Sequence, residues 1–313
     1  MKKLSILPLV SAILILFSAC EKKIAESPAG ESFKVGTWKT AQTIQPFFYS
    51  QFSGQDSVEV LPFTNPGDQK TALLAGSLDL TGTTLVTAIA AAAAGEPIVI
   101  VAGLCNKCSA LAVGNNSNIE KESDLRGKTI AYVPGTMHHI LLLDVLRRNN
   151  IDPGSEVKLI RIDFFDMGQA LARGAIDAFL SGEPYPTNAE MDGYGRILSY
   201  PYFDESIGSI NAAMITTKEQ IEKHPERIRK LVNMHIKSTE YLLKNKEAWL
   251  DKAAEFGTEP NILKKSSENI ELFYKIDKPF IERAKRLAEE MYKLEIIPNI
   301  PDVEKMFDLR FIN

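Results

Sequence analysis

The feature that most constrains this fold is a helix–turn–strand unit that occurs twice in the chain. The segments ALLAGSLDL, residues 72–80, and ALARGAIDAFL, residues 170–180, share one pattern. Each has a helical end, a glycine, one further residue, an apolar residue and an aspartate that opens a strand. A unit used once in each half predicts two related α/β halves rather than a solenoid with a short period. We expect Asp79 and Asp177 to tie down these turns.

Strand-like and helical segments alternate over the first two thirds of the chain. This alternation predicts an α/β architecture with a mostly parallel sheet. Residues 98–104 are mostly β-branched, which is typical of a buried strand, and residues 138–149 have the spacing of an amphipathic helix. The rest of the chain is predicted to be helical over residues 219–243, 246–256 and 279–294.

The N-terminal twenty residues are typical of a targeting segment. Lys2 and Lys3 precede an almost continuously apolar run, residues 4–17, which is too short to predict a membrane span. Cys20 follows two small residues and resembles the acylated cysteine of a bacterial lipoprotein. The alternative is an ordinary signal peptide with an incidental cysteine. Residues 21–32 then form a predicted flexible tether, so the protein is expected to be extracytoplasmic and lipid-anchored through Cys20.

Composition excludes several classes of protein. The chain has 45% hydrophobic and 24% charged residues, and its formal net charge of -4 gives no reason to expect nucleic acid as a partner. Three cysteines in 313 residues do not make a disulfide-rich scaffold. If Cys20 carries lipid, only Cys105 and Cys108 remain to act together.

Several segments, taken in order, resemble the type II periplasmic substrate-binding proteins of ABC importers. The similar branch is the one that takes nitrate, sulfonates, taurine and thiamine-precursor pyrimidines. The resemblance extends over residues 33–313. It rests on the Val35-Gly36 strand, ALLAGSLDL, AAAAGEPIVIVAGL, DLRGKTIAYVPGT, ALARGAIDAFLSGEP and the final helices.

This resemblance implies two α/β lobes joined by a two-strand hinge, which close on a ligand as a hinged trap. On that pattern, residues 33–114 and 208–313 form one lobe, and residues 115–207 form the other. The implied partners are a small solute, a permease and a cytoplasmic ATPase. The protein is expected to be a monomer with no resident cofactor.

Ligands of open α/β sheets bind beyond the carboxyl ends of the strands, often against helix N-termini. Four loops meet this description: residues 37–42, 82–84, 105–109 and 136–139, the last of them facing residues 181–185. The candidate ligand-binding residues are Trp38, Thr83, Thr84, Cys105, Cys108, Thr136, Met137, His138, His139, Glu183 and Tyr185. The threonines match the hydroxyl donors of the sulfonate and nitrate binders. Core packing explains Trp38 equally well. Glu183 could accept from a cationic ligand, and a solvated or hydrogen-bonded turn acid explains it equally well.

The cysteines and histidines do not match an anion trap. Two thiolates three residues apart can bind one soft metal at about 2.3 Å, and an imidazole can complete the shell. The predicted metal ligands are Cys105, Cys108 and His138, with Met137 as a further soft atom. Since neighbours on a helix point about 100° apart, only one of His138 and His139 is expected to face the cleft. This set predicts a thiophilic ligand: a metal ion, an organometal or a metal-bearing cofactor.

Other interpretations of the Cys-x-x-Cys segment stay open. It could form a disulfide that staples a loop outside the cell, or hold incidental or redox-active thiols. The segment is also similar to a branch of the family that can carry selenocysteine and is linked to organometal uptake, although this chain has no selenocysteine.

The leading functional hypothesis is a non-enzymatic binding lipoprotein that delivers a solute to an ABC permease. The chain has no Gly-x-Ser-x-Gly, phosphate-loop or His-Glu-x-x-His motif. Within transport, the alternative ligand is a sulfonate, a nitrate-like anion or a thiamine-precursor pyrimidine. Outside it, the alternatives are a pyrimidine-synthase-like enzyme on the same fold and a surface sensor or adhesin.

Overall fold

The computed structural model describes residues 30–64, 66–202 and 207–312. The predicted signal peptide, Cys20 and nearly all of the predicted tether lie outside these residues. Within the described ranges, no helix is both long enough and apolar enough to cross a membrane.

The first sheet has six strands in the order β11-β4-β10-β3-β1-β2. Strands β1, β2 and β3 are parallel, and β10 lies antiparallel between β3 and β4. β11 pairs antiparallel with β4 at the edge. The strands are β1 (Ser32–Trp38), β2 (Ser57–Phe63), β3 (Leu80–Thr84), β4 (Ile98–Lys107), β10 (Ile210–Thr217) and β11 (Ile270–Leu272).

The second sheet has five strands in the order β7-β6-β8-β5-β9. Strands β6, β7 and β8 are parallel, whereas β5 lies antiparallel between β8 and β9. The strands are β5 (Ser109–Gly114), β6 (Thr129–Tyr132), β7 (Lys158–Arg161), β8 (Ala178–Gly182) and β9 (Gly195–Ser199).

The two sheets share one strand order. In each, the second, first and third of three parallel strands lie side by side, as β2-β1-β3 and β7-β6-β8; an antiparallel strand follows, β10 or β5, and then one more strand, β4 or β9. The repeated sequence unit supplies the third strand each time. The Asp79 carboxylate accepts a hydrogen bond from the backbone N–H of Lys34 at 2.8 Å, and the Asp177 carboxylate accepts one from Thr129 at 2.8 Å. Each aspartate thus ties the start of a third strand to a first strand, which confirms the role predicted for both.

The helices cover the sheets and bury their apolar faces. They are α1 (Pro66–Leu74), α2 (Leu85–Ala93), α3 (Met137–Arg148), α4 (Phe164–Ala172), α5 (Tyr185–Met191), α6 (Lys218–Lys223), α7 (Pro225–Lys244), α8 (Lys246–Ala254), α9 (Pro260–Ser266) and α10 (Lys278–Lys293). The single helix predicted for residues 219–243 is wrong in one respect. It breaks at His224, because Pro225 lacks a backbone N–H and begins a new helix instead.

Two crossings connect the sheets. The first runs from β4 into β5 through Cys108 alone, and the second lies between β9 and β10, where residues 200–202 and 207–209 are described. Residues 109–114 were predicted to belong with the first lobe, but the structure pairs them with β8 and β9 of the second sheet. The loop predicted for residues 105–109 is also wrong over most of its length. Strand β4 continues through Lys107, because β10 and β11 supply hydrogen-bonding partners on both of its sides.

Candidate functional site

A cavity of about 30 Å³ lies between the two sheets, where the carboxyl ends of their parallel strands approach each other. A volume of this size holds about one water molecule, so this conformation is a nearly closed one, and a larger solute would enter only if the two sheets moved apart. Both sheets contribute to its wall, and no Asp, Glu, Lys or Arg of the described residues lines it. The lining residues are Trp38, Thr40, Gln42, Thr43, Thr64, Pro66, Thr84, Cys105, Thr136, His138, Phe164, Phe165, Gly182, Tyr185, Asn211 and Ala212.

Two helix N-termini reach the cavity, one from each half of the molecule. Thr84 caps α2 by accepting a hydrogen bond from the N–H of Thr87 at 3.2 Å. Thr136 caps α3 in the same way, with the N–H of His139 at 3.3 Å. The Thr87 hydroxyl donates to the carbonyl of Gly135 at 3.0 Å and so links the two helix starts. Because helix N-termini carry partial positive charge, this part of the cavity favours an anion or the negative end of a dipole.

His138 and three aromatic rings form another part of the wall. The His138 ring packs edge-on against Phe164 with 5.3 Å between centroids, and its Nδ1 lies 2.9 Å from the Ser109 hydroxyl. Phe164 is stacked with Tyr185, and Phe165 meets Tyr185 edge-on. Burial lowers the pKa of His138 to about 3, so the imidazole is neutral at pH 7. This part of the cavity favours an apolar or aromatic group of a ligand.

The two cysteines are buried, each 1% exposed, and both are free thiols. Cys105 lies in β4 and lines the cavity, whereas Cys108 lies directly behind the wall at the first crossing. Burial raises the pKa of the Cys108 thiol well above its usual value, and the nearby Cys105 thiol raises it further. The side-chain amide of Asn211, near the start of β10, donates to Cys108 Sγ at 3.0 Å.

Among the described residues, no group of three or more His, Cys, Asp or Glu side chains is placed to hold a metal ion. The predicted metal ligands Cys105, Cys108 and His138 are therefore not assembled around a common point in this conformation. They are not assembled because His138 Nδ1 is directed to the Ser109 hydroxyl, while Cys105 lies in β4 and Cys108 in the first crossing.

Six predicted site residues line the cavity: Trp38, Thr84, Cys105, Thr136, His138 and Tyr185. Besides Cys108, four others do not. Thr83 is buried in β3, and Met137 packs in the apolar core. His139 lies against Tyr132, with 4.7 Å between ring centroids, as expected if only one of the two histidines faces the cleft.

Glu183 is the fourth residue outside the cavity wall, and it is fully buried beside the first crossing. Its carboxylate accepts hydrogen bonds from the Thr187 N–H and from the Asn269 side chain, both at 3.3 Å. Desolvation raises its pKa to about 7, partly offset by these hydrogen bonds. Glu183 is therefore a buried acid in the polar packing between the two halves, which agrees with the hydrogen-bonded interpretation of this residue and not with the solvated one.

Sequence reasoning missed three prominent wall residues. Phe164 and Phe165 begin α4 directly after the β7 strand, at the carboxyl edge of the second sheet, so their position was a usable signal. Asn211 carries no local signal, because it reaches the site only through the pairing of β10 with β4.

A model of the family described as "NMT1/THI5 like" matches residues 57–248, which is more than half of the sequence, so the chain belongs to this family. The crystallised alkanesulfonate-binding protein SsuA of Xanthomonas axonopodis pv. citri, bound to MOPS, has a TM-score of 0.79 and 19% identity; 91% of this chain and 100% of that one are covered. This likeness confirms the periplasmic-binding-protein fold.

Two curated relatives point to different activities. An aliphatic sulfonates-binding protein of Escherichia coli is 33% identical over 129 residues, 41% of this chain, and the match spans only 40% of that relative's length. The 4-amino-5-hydroxymethyl-2-methylpyrimidine phosphate synthase THI13 of Saccharomyces cerevisiae is 24% identical over 232 residues, 68% of this chain and 67% of the enzyme. The family thus includes both binding proteins and an enzyme.

Proposed function

We propose that this protein is the solute-binding component of an ABC importer and that it captures one small solute between its two sheets. The observation that carries the proposal is the narrow cavity with wall residues from both sheets, beside the first crossing between them. The sulfonate-binding relatives support it. The predicted division into two lobes that hinge about these crossings is part of the proposal.

The wall chemistry favours a small solute with two different ends. The N-termini of α2 and α3 suit an anionic or strongly polar group, since they present free N–H donors and partial positive charge. Phe164 and Tyr185 suit an apolar or planar body. A sulfonate, a nitrate-like anion or a thiamine-precursor pyrimidine has this character. A cation with no anionic or apolar part would find no carboxylate among the described residues of the cavity wall.

A thiophilic ligand is a second candidate, and one observation favours it. The Cys105 side chain is in the cavity wall, and the Cys108 thiol is its neighbour, so two sulfurs are available to one soft atom. A metal or organometal bound here would rely on these two sulfurs, because His138 is directed to Ser109. Binding would require deprotonation of the buried thiols and would therefore weaken as pH falls.

The proposal is for a binding protein and not an enzyme. Ser109 and His138 resemble a nucleophile and base at 2.9 Å, but the hydroxyl lies outside the cavity wall and only the imidazole faces a solute. An imidazole with a pKa of about 3 is also a poor proton acceptor at neutral pH. These contacts are those of a positioned hydrogen-bonding side chain rather than of an activated nucleophile.

The cellular setting belongs to the same proposal. The protein would act outside the cytoplasm, anchored by lipid on Cys20, and would deliver its solute to a permease driven by a cytoplasmic ATPase. Intact mass measurement of the protein isolated from membranes tests the anchor. The expected result is cleavage before Cys20 with acyl chains on that residue, and a mature protein that starts elsewhere would contradict it.

The Gly182→Ala variant tests the cavity without changing its charge. A Cβ at Gly182 would lie 3.1 Å from both amide atoms of Gln42 and 3.1 Å from His138 Cε1, so it would fill space between the two halves. Gly154→Ala is the matched control, since its nearest neighbour would be a flexible Asp152 oxygen at 3.6 Å. Native mass spectrometry would screen MOPS, nitrate, the pyrimidine 4-amino-5-hydroxymethyl-2-methylpyrimidine, zinc and methylmercury against all three proteins.

We expect one equivalent of an organic or inorganic anion to bind the parent and the control. Gly182→Ala should bind it about tenfold more weakly or worse, which corresponds to about 1.4 kcal/mol or more. Equal binding by both variants would show that the solute does not bind in this cavity. If the thiophilic candidate is right, the Cys105→Ser/Cys108→Ser double variant should lose zinc and methylmercury but keep the anion.

A further inference from the structure

Cys108 is the residue through which the two halves of the molecule are most directly joined. Its N–H donates to the Asn269 carbonyl beside β11 of the first sheet at 2.7 Å. Its carbonyl accepts from the Glu183 N–H, after β8 of the second sheet, at 2.7 Å. Its sulfur accepts from Asn211, where the chain enters β10 from the second crossing. Any change at this residue therefore acts on both crossings.

The backbone at this point has an unusual conformation. Lys107 and Cys108 have φ angles of 60° and 69°, in the left-handed region that non-glycine residues seldom adopt. Such conformations persist only where the surrounding contacts impose them. The first crossing is thus held in place by its hydrogen bonds and is a point at which the backbone can rearrange when the halves separate.

The two thiols are neighbours for a reason that is independent of their ionisation. Cys105 pairs with Ala212 across β4 and β10, and the preceding residue, Asn211, holds the Cys108 sulfur. Consecutive residues of one strand therefore contact the two cysteines, and both lie in the same buried cluster. Their order from the cavity is also defined, since Cys105 lines it and Cys108 lies behind.

We propose that Cys105 and Cys108 are a reversible dithiol–disulfide pair that reacts only while the cavity between the sheets is open and empty. The oxidant is an external disulfide, either glutathione disulfide or a protein disulfide. The Cys105 thiolate attacks one sulfur of that disulfide, forms a mixed disulfide and releases one thiolate. The Cys108 thiolate then attacks Cys105 Sγ and releases the second thiolate. Two electrons pass to the external disulfide, and the two cysteine protons end on the released thiols.

Burial explains why the closed state resists this reaction. Both thiols are 1% exposed, so an external disulfide cannot reach Cys105 except through the cavity. A solute in the cavity covers the same sulfur. The compartment proposed above is one in which disulfides form and persist. Reversal requires an external dithiol or glutathione, which takes up the two electrons as a disulfide in turn.

A disulfide between Cys105 and Cys108 would change the wall of the cavity. A disulfide brings its two sulfurs to about 2.05 Å, closer than any non-bonded contact. Cys105 Sγ would therefore be withdrawn from the cavity wall toward Cys108, and the soft group facing the solute would be lost. Oxidation and solute binding are then mutually exclusive, so external redox state controls how much of the protein is available to bind.

The test uses the full chain with Cys20→Ser, so that only two cysteines remain. Reduced protein is incubated with glutathione disulfide, remaining thiols are blocked with N-ethylmaleimide, and the intact mass is followed over time. The expected product has lost two hydrogens and carries neither glutathione nor maleimide. Cys108→Ser should instead accumulate one glutathionyl group on Cys105. Cys105→Ser should react at least tenfold more slowly than Cys108→Ser, because Cys108 has no access from the cavity.

Three results would overturn the proposal. These are two free thiols in the parent after long incubation, glutathione on both cysteines of the parent, or equal reaction rates for the two single variants. Peptide mapping of the parent's mixed-disulfide intermediate locates the first attack in the unaltered site, so the conclusion does not depend on either serine variant folding. None of these measurements requires the permease or the solute, so the proposed transport function can fail independently.

Discussion

Replacing Glu183 by glutamine is expected to abolish a pH-dependent loss of stability. The Glu183 side chain is fully buried at the join between the two halves, and its pKa is raised from 4.5 to about 7, chiefly by desolvation. Below pH 4.5 the carboxyl is protonated in both the folded and the unfolded chain, so it contributes no difference. As pH rises from about 4.5 to 7, the unfolded chain ionises first and the folded state loses relative stability.

The size of this effect follows from the pKa difference of about 2.5 units. At 1.36 kcal/mol per unit, the loss amounts to about 3 kcal/mol between pH 4.5 and pH 8. Glutamine cannot ionise, so this loss is absent from Glu183→Gln. The variant also changes hydrogen bonds with Thr187 and Asn269, but that offset is the same at every pH and cancels in the comparison.

The assay is urea unfolding followed by circular dichroism at several pH values between 4.5 and 8.5. The difference in unfolding free energy between Glu183→Gln and the parent should shift by about 3 kcal/mol in favour of the variant as pH rises. Glu247→Gln is the control, because that carboxylate is exposed in the first turn of α8. Parallel stability curves for Glu183→Gln and the parent would refute the reasoning.

Three further substitutions test the packing by urea unfolding. Gly103→Ala would place a Cβ 2.3–2.7 Å from three ring carbons of Phe273, and overpacking of this kind should cost about 1–3 kcal/mol; a cost near zero would mean that the ring moves freely. Thr136→Val removes the cap of α3 and should cost about 1 kcal/mol, whereas no loss would show that the cap is unimportant. Arg227→Met removes the two hydrogen bonds at 2.7 and 2.8 Å that Arg227 donates to the mostly buried Asp79, and should cost about 1–3 kcal/mol; stability equal to the parent's would show that the pair contributes nothing.

The fold was predictable where signals are local. The repeated glycine turn and aspartate predicted the third strand of each sheet, and Asp79 and Asp177 make equivalent backbone contacts. These signals depend on residues close together in sequence, since a turn and the strand after it are specified by the same few side chains. The α/β class followed from them.

The course of the chain around Cys105 was not predictable in the same way. Cys105, Asn106 and Lys107 interrupt an apolar run and suggest a loop. The structure makes them strand, because β11 and the start of β10 pair with them from more than a hundred residues away. A strand partner at that distance leaves no trace in the segment itself, and tertiary pairing overrides local preference.

Six of the sixteen wall residues were predicted from the sequence, and the clearest signals were again local. Thr84 and Thr136 were identifiable because each precedes a helix at the end of a strand. Which of His138 and His139 faces the cavity depends on how α3 is rotated against β8, and that rotation is set by many buried contacts. Asn211 could not be predicted, because it reaches the site through the pairing of β10 with β4, two strands that are far apart in sequence.

The central position of β10 has a consequence for biosynthesis. The segment Ile210–Thr217 lies between β3 and β4, which share no hydrogen bonds with each other, yet it leaves the ribosome more than a hundred residues after both. Until it emerges, a nascent chain presents two open strand edges, the kind of surface that recruits other chains. A polypeptide truncated before residue 210 should therefore aggregate, and chaperone demand should end only when this late strand arrives.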